Sequence, residues 1–478
     1  MKAVLINPSW TQSLGRFAEL ARQRTYSPPL GICYVAAVAE QRGHQVQIID
    51  AEAERLIDPL AIVERLNQID PDIIGITATS PVFPRALLLA GVLKDHFTVP
   101  LVIGGSHINV SGQAAFADCF DYAVYGDGEY AFSELMQTLE GNGELAQVPG
   151  LIFRRGGMVQ VNPQYPTLEN VDELPFPAIH LLKNELYSLR FASRKPQRYT
   201  SIMAMRGCPF KCVFCSEPLT SKGLRMRSAI NIVDEIERDF RELGIEHFTF
   251  VDSNITLSRK QAIDLSREIK KRNIAITWEG WTRANLVDEE MLREMKASGF
   301  VRISFGIESG DPRILKIIKK EVALEDMRRA FKLARKLKIE ALCSAMIGLP
   351  GETRESIDKT ISFIRNTPEI EYSNLSIAVP YPGTEMYEMA RRQEHGLKLL
   401  SEDLTRFNRY DGAVISVNDL LPQDLVRLQK IGLLKIHFTP ARIVKSIKLV
   451  KFNTLLVLGF SFLGALLGSA RFSRKDKK

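Results

Sequence analysis

Three cysteines, Cys208, Cys212 and Cys215, lie close together, directly after an apolar run that is typical of a strand. Thiolates packed this closely in one loop suit a metal ion or an iron–sulfur cluster, because cysteine is the usual cluster ligand. A structural zinc site is closed by four ligands, and no fourth Cys or His lies nearby in the sequence. A four-iron cluster held by three cysteines would keep one iron open for a small molecule. The alternatives are chance clustering and a zinc site completed from a distance, for example by Cys343.

The C-x3-C-x2-C spacing of these cysteines resembles the signature of the radical S-adenosylmethionine (SAM) enzymes. The resemblance implies that the three cysteines are catalytic and hold a [4Fe–4S] cluster, whose open iron binds the amino and carboxylate groups of SAM. It implies that the reduced cluster passes an electron to SAM and that a 5′-deoxyadenosyl radical forms, which can abstract hydrogen from an unactivated carbon. An electron donor such as flavodoxin or ferredoxin is then an expected partner.

Length and composition bound the architecture and the class of partner. A chain of 478 residues exceeds the usual size of one domain, so we expect two or three domains. The net charge of +7 is modest for this length, and no stretch resembles a nucleic-acid-binding module, so nucleic acid is not an expected partner. The N-terminus lacks the pattern of a signal peptide, which predicts a reducing compartment and no disulfide framework.

Residues 1–150 are assigned to a first domain, because short apolar runs alternate there with amphipathic helical stretches. The runs are Lys2–Asn7, Gln45–Asp50, Asp72–Thr77, Leu101–Gly104 and Tyr122–Tyr125. This alternation predicts an α/β fold with a doubly wound, Rossmann-like parallel sheet, whose ligands bind at the carboxyl ends of the strands. Glycines at those ends let the backbone turn sharply and approach a flat or anionic ligand. The candidate binding residues in these loops are Asn7, Pro8, Thr79, Ser80, Gly104, Gly105, Ser106, His107, Gly126, Gly128 and Glu129.

Segments 28–31 (Pro-Pro-Leu-Gly), 104–107 (Gly-Gly-Ser-His) and 126–129 (Gly-Asp-Gly-Glu) resemble the cobalamin-binding domain of one large branch of radical SAM enzymes. The resemblance implies cobalamin as a third cofactor, bound by the loop residues named above. His107 is a candidate contact to the corrin edge, with a surface hydrogen-bonding role as its alternative. The Asp-x-His-x-x-Gly motif that supplies a cobalt ligand in other cobalamin proteins is absent, so cobalamin would lack a histidine below the metal. A domain that has lost cobalamin is the competing interpretation.

Residues 151–195 are predicted to connect two domains. Residues 151–161 have the pattern of a β-hairpin around Gly156 and Gly157. The proline-rich crossing at 174–178 would stiffen an extended linker.

Residues 196–385 contain six strand-like runs, each followed by a helical pattern, apart from the last. One precedes the cysteines, and the others are His247–Val251, Ala275–Glu279, Val301–Ile307, Ala341–Ile347 and Asn374–Val379. This predicts a partial (β/α)6 TIM barrel with its active site at the carboxyl ends of the strands. The family resemblance implies that SAM is bound there by Phe214, Asp252, Ser253, Asn254, Arg283, Glu308 and Ile347. Arg283 would pair with the SAM carboxylate, because a guanidinium matches carboxylate geometry. Tyr381 is a candidate substrate contact, and the remaining substrate pocket cannot be chosen from one sequence.

Residues 386–451 are predicted to be a helical region, and 452–478 an uncharged apolar segment followed by a basic tail. That segment is slightly short of the ~20 residues that a membrane span needs, and basic residues flank both of its sides. We therefore predict a C-terminal anchor at the cytoplasmic side of a membrane, either spanning or lying in the interface. A buried terminal helix or a dimer interface is the alternative.

These observations together predict a cobalamin-dependent radical SAM enzyme. The resemblance implies methylation of an unactivated carbon, and a membrane anchor would imply a hydrophobic substrate such as a lipid or a tetrapyrrole. A radical SAM oxidoreductase or cyclase without methyl transfer is the nearest alternative. A sensor that binds the cluster or cobalamin without turnover is the alternative from another class.

Overall fold

The computed structural model describes residues 1–11, 27–163, 167–189, 195–221, 223–410, 412–439 and Arg442. These residues form two seven-stranded sheets, each flanked by helices, and two short two-stranded sheets. The predicted α/β fold, with a doubly wound sheet followed by a partial barrel, is confirmed.

The first sheet has the strand order β2-β1-β3-β4-β5-β6-β7, and its first five strands are parallel. The order changes direction between β1 and β3, which is where open α/β sheets bind ligands. The elements are β1 (Lys2–Asn7), α1 (Leu30–Gln41), β2 (Gln45–Asp50), α2 (Pro59–Ile69), β3 (Ile73–Thr77), α3 (Phe83–His96), β4 (Leu101–Gly104), α4 (Ser106–Ser111), β5 (Tyr122–Val124), α5 (Gly128–Leu139), β6 (Leu151–Arg155) and β7 (Met158–Val161).

The hairpin predicted at the start of the connector is formed by β6 and β7. It does not stand apart from the first sheet, because β6 pairs antiparallel with β5 and extends that sheet. The rest of the connector crosses to the second sheet through short helical turns. The hydroxyl of Tyr187 in this crossing lies 2.6 Å from Asp50 Oδ2 at the end of β2, so the connector is fastened to the first sheet.

The second sheet has the order β16-β15-β14-β13-β12-β9-β8. Its six strands from β9 to β16 are parallel and curl into a half-barrel, and β8 pairs antiparallel at one edge. The elements are β8 (Ser188–Leu189), β9 (Gln197–Ile202), β10 (Met205–Arg206), α6 (Glu217–Thr220), β11 (Arg225–Met226), α7 (Ala229–Leu243), β12 (His247–Phe250), α8 (Arg259–Lys271), β13 (Thr277–Thr282), α9 (Glu289–Ala297), β14 (Phe300–Glu308), α10 (Pro312–Ile317), α11 (Leu324–Lys336), β15 (Glu340–Ile347), α12 (Arg354–Arg365), β16 (Tyr372–Ile377), α13 (Glu385–Arg392), β17 (Leu397–Leu399), β18 (Ile415–Val417) and α14 (Pro422–His437).

The two faces of the half-barrel differ in polarity. On the face that packs against the helices, Trp278 is buried, and the centre of its ring lies 5.2 Å from the ring centre of Phe250 and 4.5 Å from that of Phe300. On the opposite face, Arg302 bridges Glu279 at 3.1 Å and Glu340 at 2.9 Å. Because side chains alternate along a strand, the inner face is the polar one.

The predicted C-terminal membrane anchor needs a correction. No helix in the described ranges is long and apolar enough to cross a membrane, so the predicted localisation at the cytoplasmic side of a membrane is wrong. Helix α14, the last one described, belongs to the predicted helical region and packs against the barrel, where Gln429 Nε2 donates to the Leu375 carbonyl at 2.9 Å. The apolar segment 452–478, on which the prediction depended, lies outside the described residues, as do 440–451 apart from Arg442.

Candidate active site

The three cysteines lie in a loop that follows β10 and is held from two sides. The Val213 N–H donates to the Ile318 carbonyl at 3.2 Å, and the Val213 carbonyl accepts from the Met386 N–H at 2.8 Å. Gly207, which opens the loop, has a φ of +85°, and a Cβ there would lie 2.0 Å from the Gly223 carbonyl oxygen. Only glycine fits this position, because it has no Cβ and tolerates a left-handed backbone.

Each cysteine sulfur of the loop has a nitrogen donor. Asn254 Nδ2 lies 3.3 Å from Cys208 Sγ, Arg283 Nη1 lies 3.5 Å from Cys212 Sγ, and the Glu217 N–H lies 3.4 Å from Cys215 Sγ. Hydrogen bonds to the ligand sulfurs are a means by which proteins stabilise and tune iron–sulfur clusters. The donor set therefore fits a cluster held by three thiolates.

A single zinc ion fits this loop less well than a cluster does. Among the residues described, no three His, Cys, Asp or Glu side chains are grouped so that they could hold a metal ion. Cys343 is buried in the middle of β15, within the hydrophobic core. A cluster places each cysteine on a different iron, which spreads the ligands more widely than one ion does. Burial raises the pKa of Cys215 to about 11, so iron must displace a proton when it binds.

Arg283 has the surroundings expected of a carboxylate-binding residue. It is 3% exposed, and its guanidinium lies 3.8 Å from the centre of the Phe210 ring. Its Nε and Nη2 atoms are buried and have no hydrogen-bond partner among the described residues. Asn254 Oδ1 accepts from the Arg283 N–H at 3.0 Å and fixes the backbone there. Unpaired buried donors are costly, and a carboxylate beside the cluster loop would satisfy them.

Glu308 lies at the end of β14 in a left-handed conformation, with a φ of +62°. The strand register shifts there between Gly306 and Glu308, which turns the carboxylate toward Lys320. Lys320 Nζ lies 3.0 Å from Glu308 Oε1, and both side chains are buried. A Cβ on Gly306 would lie 2.4 Å from Glu308 Oε1, so this glycine makes room for the ion pair. The sequence analysis missed Lys320, which no motif marks.

The other predicted SAM residues are placed in different ways. Asp252 is buried and accepts the Ala204 N–H at 2.9 Å, and burial raises its pKa to about 7. Ser253 lines the cavity described below. Ile347 is fully buried, and Phe214 packs against the core. The structure therefore brings Asn254 and Arg283 directly onto the cluster loop, whereas Asp252 fastens the ends of two strands together.

Tyr381, the candidate substrate contact, lies beyond β16 beside an aromatic and a basic residue. Its ring lies 6.2 Å from that of Phe407, and the Arg409 guanidinium lies 5.7 Å from its centre. No described side chain of the cysteine loop is bonded to it.

A cavity of about 400 Å³ lies between the first sheet and the cysteine loop. Six of the predicted cobalamin residues line it, namely Gly104, Gly105, Ser106, Gly126, Gly128 and Glu129. The barrel contributes Met203, Met205, Val251 and Ser253 to the opposite wall. Glu217 also lines the cavity, and its N–H is the one that contacts Cys215 Sγ. The cavity is therefore adjacent to the proposed cluster.

The wall of this cavity fits a large, flat ligand. Gly105 has a φ of +98°, and a Cβ there would lie 2.7 Å from Thr77 Oγ1, so the loop can pack this closely only with glycine. Gly31 also lines the cavity, with open space where a Cβ would be, so no side chain projects into the cavity at this position. Asn109, which the sequence analysis missed, also lines the cavity and accepts the Gly126 N–H at 2.8 Å. These residues fit cobalamin bound at the carboxyl edge of the sheet.

Five of the predicted cobalamin residues do not line this cavity: Asn7, Pro8, Thr79, Ser80 and His107. His107 is 3% exposed, and its Nδ1 lies 3.0 Å from Ser80 Oγ. The centre of its ring lies 4.1 Å from the ring centre of Phe83. Burial lowers the pKa of His107 to about 4, so the imidazole is neutral. Asn7 donates to Asp50 at 3.0 Å. Ser80 and His107 are therefore bonded to each other, and Thr79 is exposed.

Comparison with known proteins identifies the family. Residues 202–364 match the model of the radical SAM superfamily, and residues 20–136 match that of the B12 binding domain. An uncharacterized methyltransferase of Pyrococcus horikoshii is 34% identical over 94% of this chain and 95% of its own length. The chain belongs to the radical SAM enzymes that carry a B12-binding domain. The predicted cofactors, a [4Fe–4S] cluster, SAM and cobalamin, are thereby confirmed.

Other relatives of this radical SAM enzyme have different reactions. The cytidylyl-2-hydroxyethylphosphonate methyltransferase of Streptomyces wedmorensis is 30% identical over 88% of this chain and 86% of its own length. The anaerobic magnesium-protoporphyrin IX monomethyl ester cyclase of Rubrivivax gelatinosus is 27% identical, over 80% and 68%. The solved structure of the methyltransferase TsrM from Kitasatospora setae superposes with a TM-score of 0.71 at 19% identity, and covers 92% of this chain and 89% of its own. The last likeness shows the same fold.

Proposed function

We propose that this protein is a radical SAM methyltransferase that uses cobalamin to methylate an unactivated carbon of a hydrophobic substrate. When bound, the cluster and SAM supply a 5′-deoxyadenosyl radical, and cobalamin supplies a methyl group. The observation that carries the proposal is the cavity that both halves of the molecule line, with Glu217 in its wall and beside Cys215. Two cofactors on opposite sides of one cavity can act on one substrate.

The roles proposed for the barrel residues follow from their contacts. Cys208, Cys212 and Cys215 hold the cluster, and Arg283 binds the SAM carboxylate through its unpartnered nitrogens. Asn254 orients both the loop and Arg283. In the remaining assignments, Ser253 faces the SAM amino group and Glu308 the ribose, Phe214 and Ile347 flank adenine through their backbone, and Asp252 positions Ser253.

The roles proposed for the first domain divide the predicted residues into two sets. Those that line the cavity contact cobalamin directly: Gly104, Gly105, Ser106, Gly126 and Gly128. Asn7, Pro8, Thr79, Ser80 and His107 support these loops. Glu129 lines the cavity as well, but its carboxylate is bonded to Arg206, and we assign it a positioning role below.

A hydrophobic substrate is supported by two exposed apolar side chains at the mouth of the half-barrel. Val251 is 45% exposed and Trp281 is 41% exposed. Trp281 lies on the same strand face as Glu279, opposite to the buried Trp278, so its ring faces the interior of the half-barrel. Exposed aromatic surface beside a reaction centre suits a flat or apolar ligand. A lipid or a tetrapyrrole has this chemistry, and Tyr381 remains a candidate contact to it.

A small redox protein such as flavodoxin or ferredoxin is the proposed electron donor, since radical SAM enzymes need an external reductant. Pro209 and Lys211 are exposed on the cysteine loop. This exposure supports electron entry at that loop.

Cyclisation without methyl transfer is a second candidate, because the Rubrivivax gelatinosus relative is a cyclase. The same chain residues would serve both reactions up to hydrogen abstraction. The two candidates therefore differ in their products.

The test uses the anaerobically reconstituted protein with cobalamin, reductant and SAM that carries a deuterated methyl group. Extracts rich in lipids or tetrapyrroles supply the substrate, and products are analysed by mass spectrometry. Methyl transfer predicts 5′-deoxyadenosine together with S-adenosylhomocysteine and a deuterium-labelled product. 5′-Deoxyadenosine with an unlabelled cyclised product would favour the second candidate. If the protein cleaves no SAM, either with any extract or in the absence of extract, both candidate functions would be rejected.

A further inference from the structure

Glu129 and Arg206 join the two halves of the molecule at the wall of the cavity. Glu129 lies in the first turn of α5, and Arg206 is the last residue of β10, two positions before Cys208. Nη2 of Arg206 donates to Glu129 Oε1, and Nη1 of Arg206 lies 3.1 Å from Asp127 Oδ1. The Arg206 and Glu129 side chains are nearly buried, so water screens this contact little.

A second arginine holds the same loop. Arg225 lies directly opposite Arg206 in the pairing of β10 with β11, and its Nη1 lies 2.7 Å from Asp127 Oδ2. From the other side, Asn109 accepts the Gly126 N–H. We call Asp127, Glu129, Arg206 and Arg225 the domain latch. The latch clamps the loop that lines the cobalamin side of the cavity to the segment from which the cysteine loop begins.

We propose that Glu129 and Arg206 are positioning residues that set the placement of cobalamin relative to the iron–sulfur cluster. Charge-assisted hydrogen bonds from a planar guanidinium are strong and directional. Arg206 is followed at once by Gly207, whose left-handed backbone opens the cysteine loop. A shift of Glu129 is therefore transmitted to the cluster loop through a single side chain. This inference rests on the two-cofactor function proposed above.

A control distinguishes this role from ordinary fastening of domains. Lys183 in the connector forms an ion pair with Glu54, which follows β2. This pair also links distant parts of the chain, and neither residue lines the cavity. Loss of the Glu54 carboxylate should therefore affect stability without altering the placement of the cofactors.

The test compares wild type, Glu129→Gln, Arg206→Lys and Glu54→Gln as anaerobic holoproteins loaded with cluster and hydroxocobalamin. After reduction, pulsed EPR measures the coupling between the cluster and cob(II)alamin, and absorbance titration measures cobalamin affinity. For Glu129→Gln we expect an altered or broader coupling and an about tenfold loss of cobalamin affinity, since the charge-assisted bond that holds the cavity-lining loop in place is lost. Arg206→Lys keeps the positive charge but lacks the paired donors of a guanidinium, and it should show the same coupling change. It therefore serves as the test variant if Glu129→Gln folds poorly. Glu54→Gln should match wild type in both measurements.

Wild-type coupling and affinity in both latch variants, with both cofactors bound, would overturn the positioning role and leave the proposed function standing. A coupling change of equal size in Glu54→Gln would also overturn it, because the effect would then not be specific to the latch. A wild-type protein that binds neither cofactor would overturn both the latch and the function on which it rests.

Discussion

At the scale of single residues, Arg283 is the group whose surroundings point most directly to a ligand. It stacks on Phe210, contacts Cys212 and keeps two buried nitrogens without partners in the described chain. A lysine would keep the charge but lose the stacking and the paired donors. Arginine is therefore required by geometry as well as by charge.

We predict that Arg283→Lys weakens SAM binding about tenfold, because one charge-assisted hydrogen bond to the carboxylate is lost. The measurement is the SAM-dependent change in the EPR spectrum of the reduced cluster, titrated with SAM. Arg259→Lys on the exposed side of α8 is the control and should bind SAM as wild type does. Unchanged affinity in Arg283→Lys, with normal cluster content, would contradict the assignment.

His107 belongs to the support beneath the loops and not to the cavity wall. We predict that His107→Ala lowers the free energy of unfolding by about 1–3 kcal/mol, since the packing against Phe83 and the bond to Ser80 are lost. The EPR spectrum of bound cob(II)alamin should be the same in the variant as in wild type. A nitrogen splitting present in wild type and lost in His107→Ala would show that the imidazole coordinates cobalt.

At the scale of elements, the entry to the cysteine loop depends on one backbone conformation. Gly207 and Gly223 both have positive φ angles, of +85° and +71°, so alanine strains the backbone at either position. Only Gly207 also faces the Gly223 carbonyl, and Gly223 has open space around its own Cβ position. Comparing alanine variants at the two positions therefore separates the effect of backbone strain from the effect of a steric clash.

We predict that Gly207→Ala contains at most about half of the wild-type iron and acid-labile sulfide after reconstitution. The left-handed backbone alone costs alanine about 1–2 kcal/mol, and the clash of its Cβ with the Gly223 carbonyl adds to this cost, so the loop must move. Gly223→Ala should retain much more of both. Iron and sulfide assays per mole of folded protein provide the measurement. Equal cluster content in the two variants would indicate that the collision is relieved without moving the cysteines.

The turn after β15 depends on a buried carboxylate, Glu352. Its Oε2 accepts the N–H groups of Gly348 at 2.7 Å and Leu349 at 3.1 Å, whereas Oε1 is buried with no partner in the described chain. Burial raises the pKa of Glu352 from its ordinary value of 4.5 to about 8. Between these two values the folded state binds one proton more than the unfolded state, so stability falls as pH rises.

We predict that the free energy of unfolding of the wild type decreases between about pH 5 and pH 8, by at most about 1.4 kcal/mol per pH unit from this group. Glu352→Gln should reduce the slope, because an amide does not ionise. Glu355→Gln, at an exposed position in the following helix, is the control and should keep the wild-type slope. Denaturant unfolding at several pH values measures it, and equal slopes in all three proteins would count against a neutral Glu352.

Most elements could be predicted because their patterns are strong. The bounds predicted for β1 and β4 are those observed, since parallel strands buried on both faces appear as continuous apolar runs. The bounds of β2 are also those predicted, although exposed and buried residues alternate at the start of this edge strand. Strand β13 was predicted at residues 275–279 and is found at Thr277–Thr282. Its second half contains Gly280 and the exposed Trp281, which break the apolar pattern, because this strand faces the interior of the half-barrel.

At the scale of the whole molecule, what the sequence could not predict depends on how the two sheets meet. Arg206 contacts Glu129 across 77 positions of the chain, and Arg225 contacts Asp127 across 98 positions. Such contacts have no local pattern. The membrane anchor was inferred from the apolar run at 452–470 and its basic flanks, and such a pattern does not by itself distinguish a membrane segment from other apolar segments.

The central claim for the whole molecule is that one chain holds a radical-generating cluster and cobalamin on either side of a shared cavity. The most direct measurement is anaerobic reconstitution of the wild type and Cys212→Ala with iron, sulfide and cobalamin, followed by SAM and reductant. We predict bound cobalamin in both proteins and 5′-deoxyadenosine only from the wild type, because the variant loses a cluster ligand and keeps the first domain. Release of 5′-deoxyadenosine by Cys212→Ala at the wild-type rate, or no SAM cleavage by a wild type that binds cobalamin, would contradict the account.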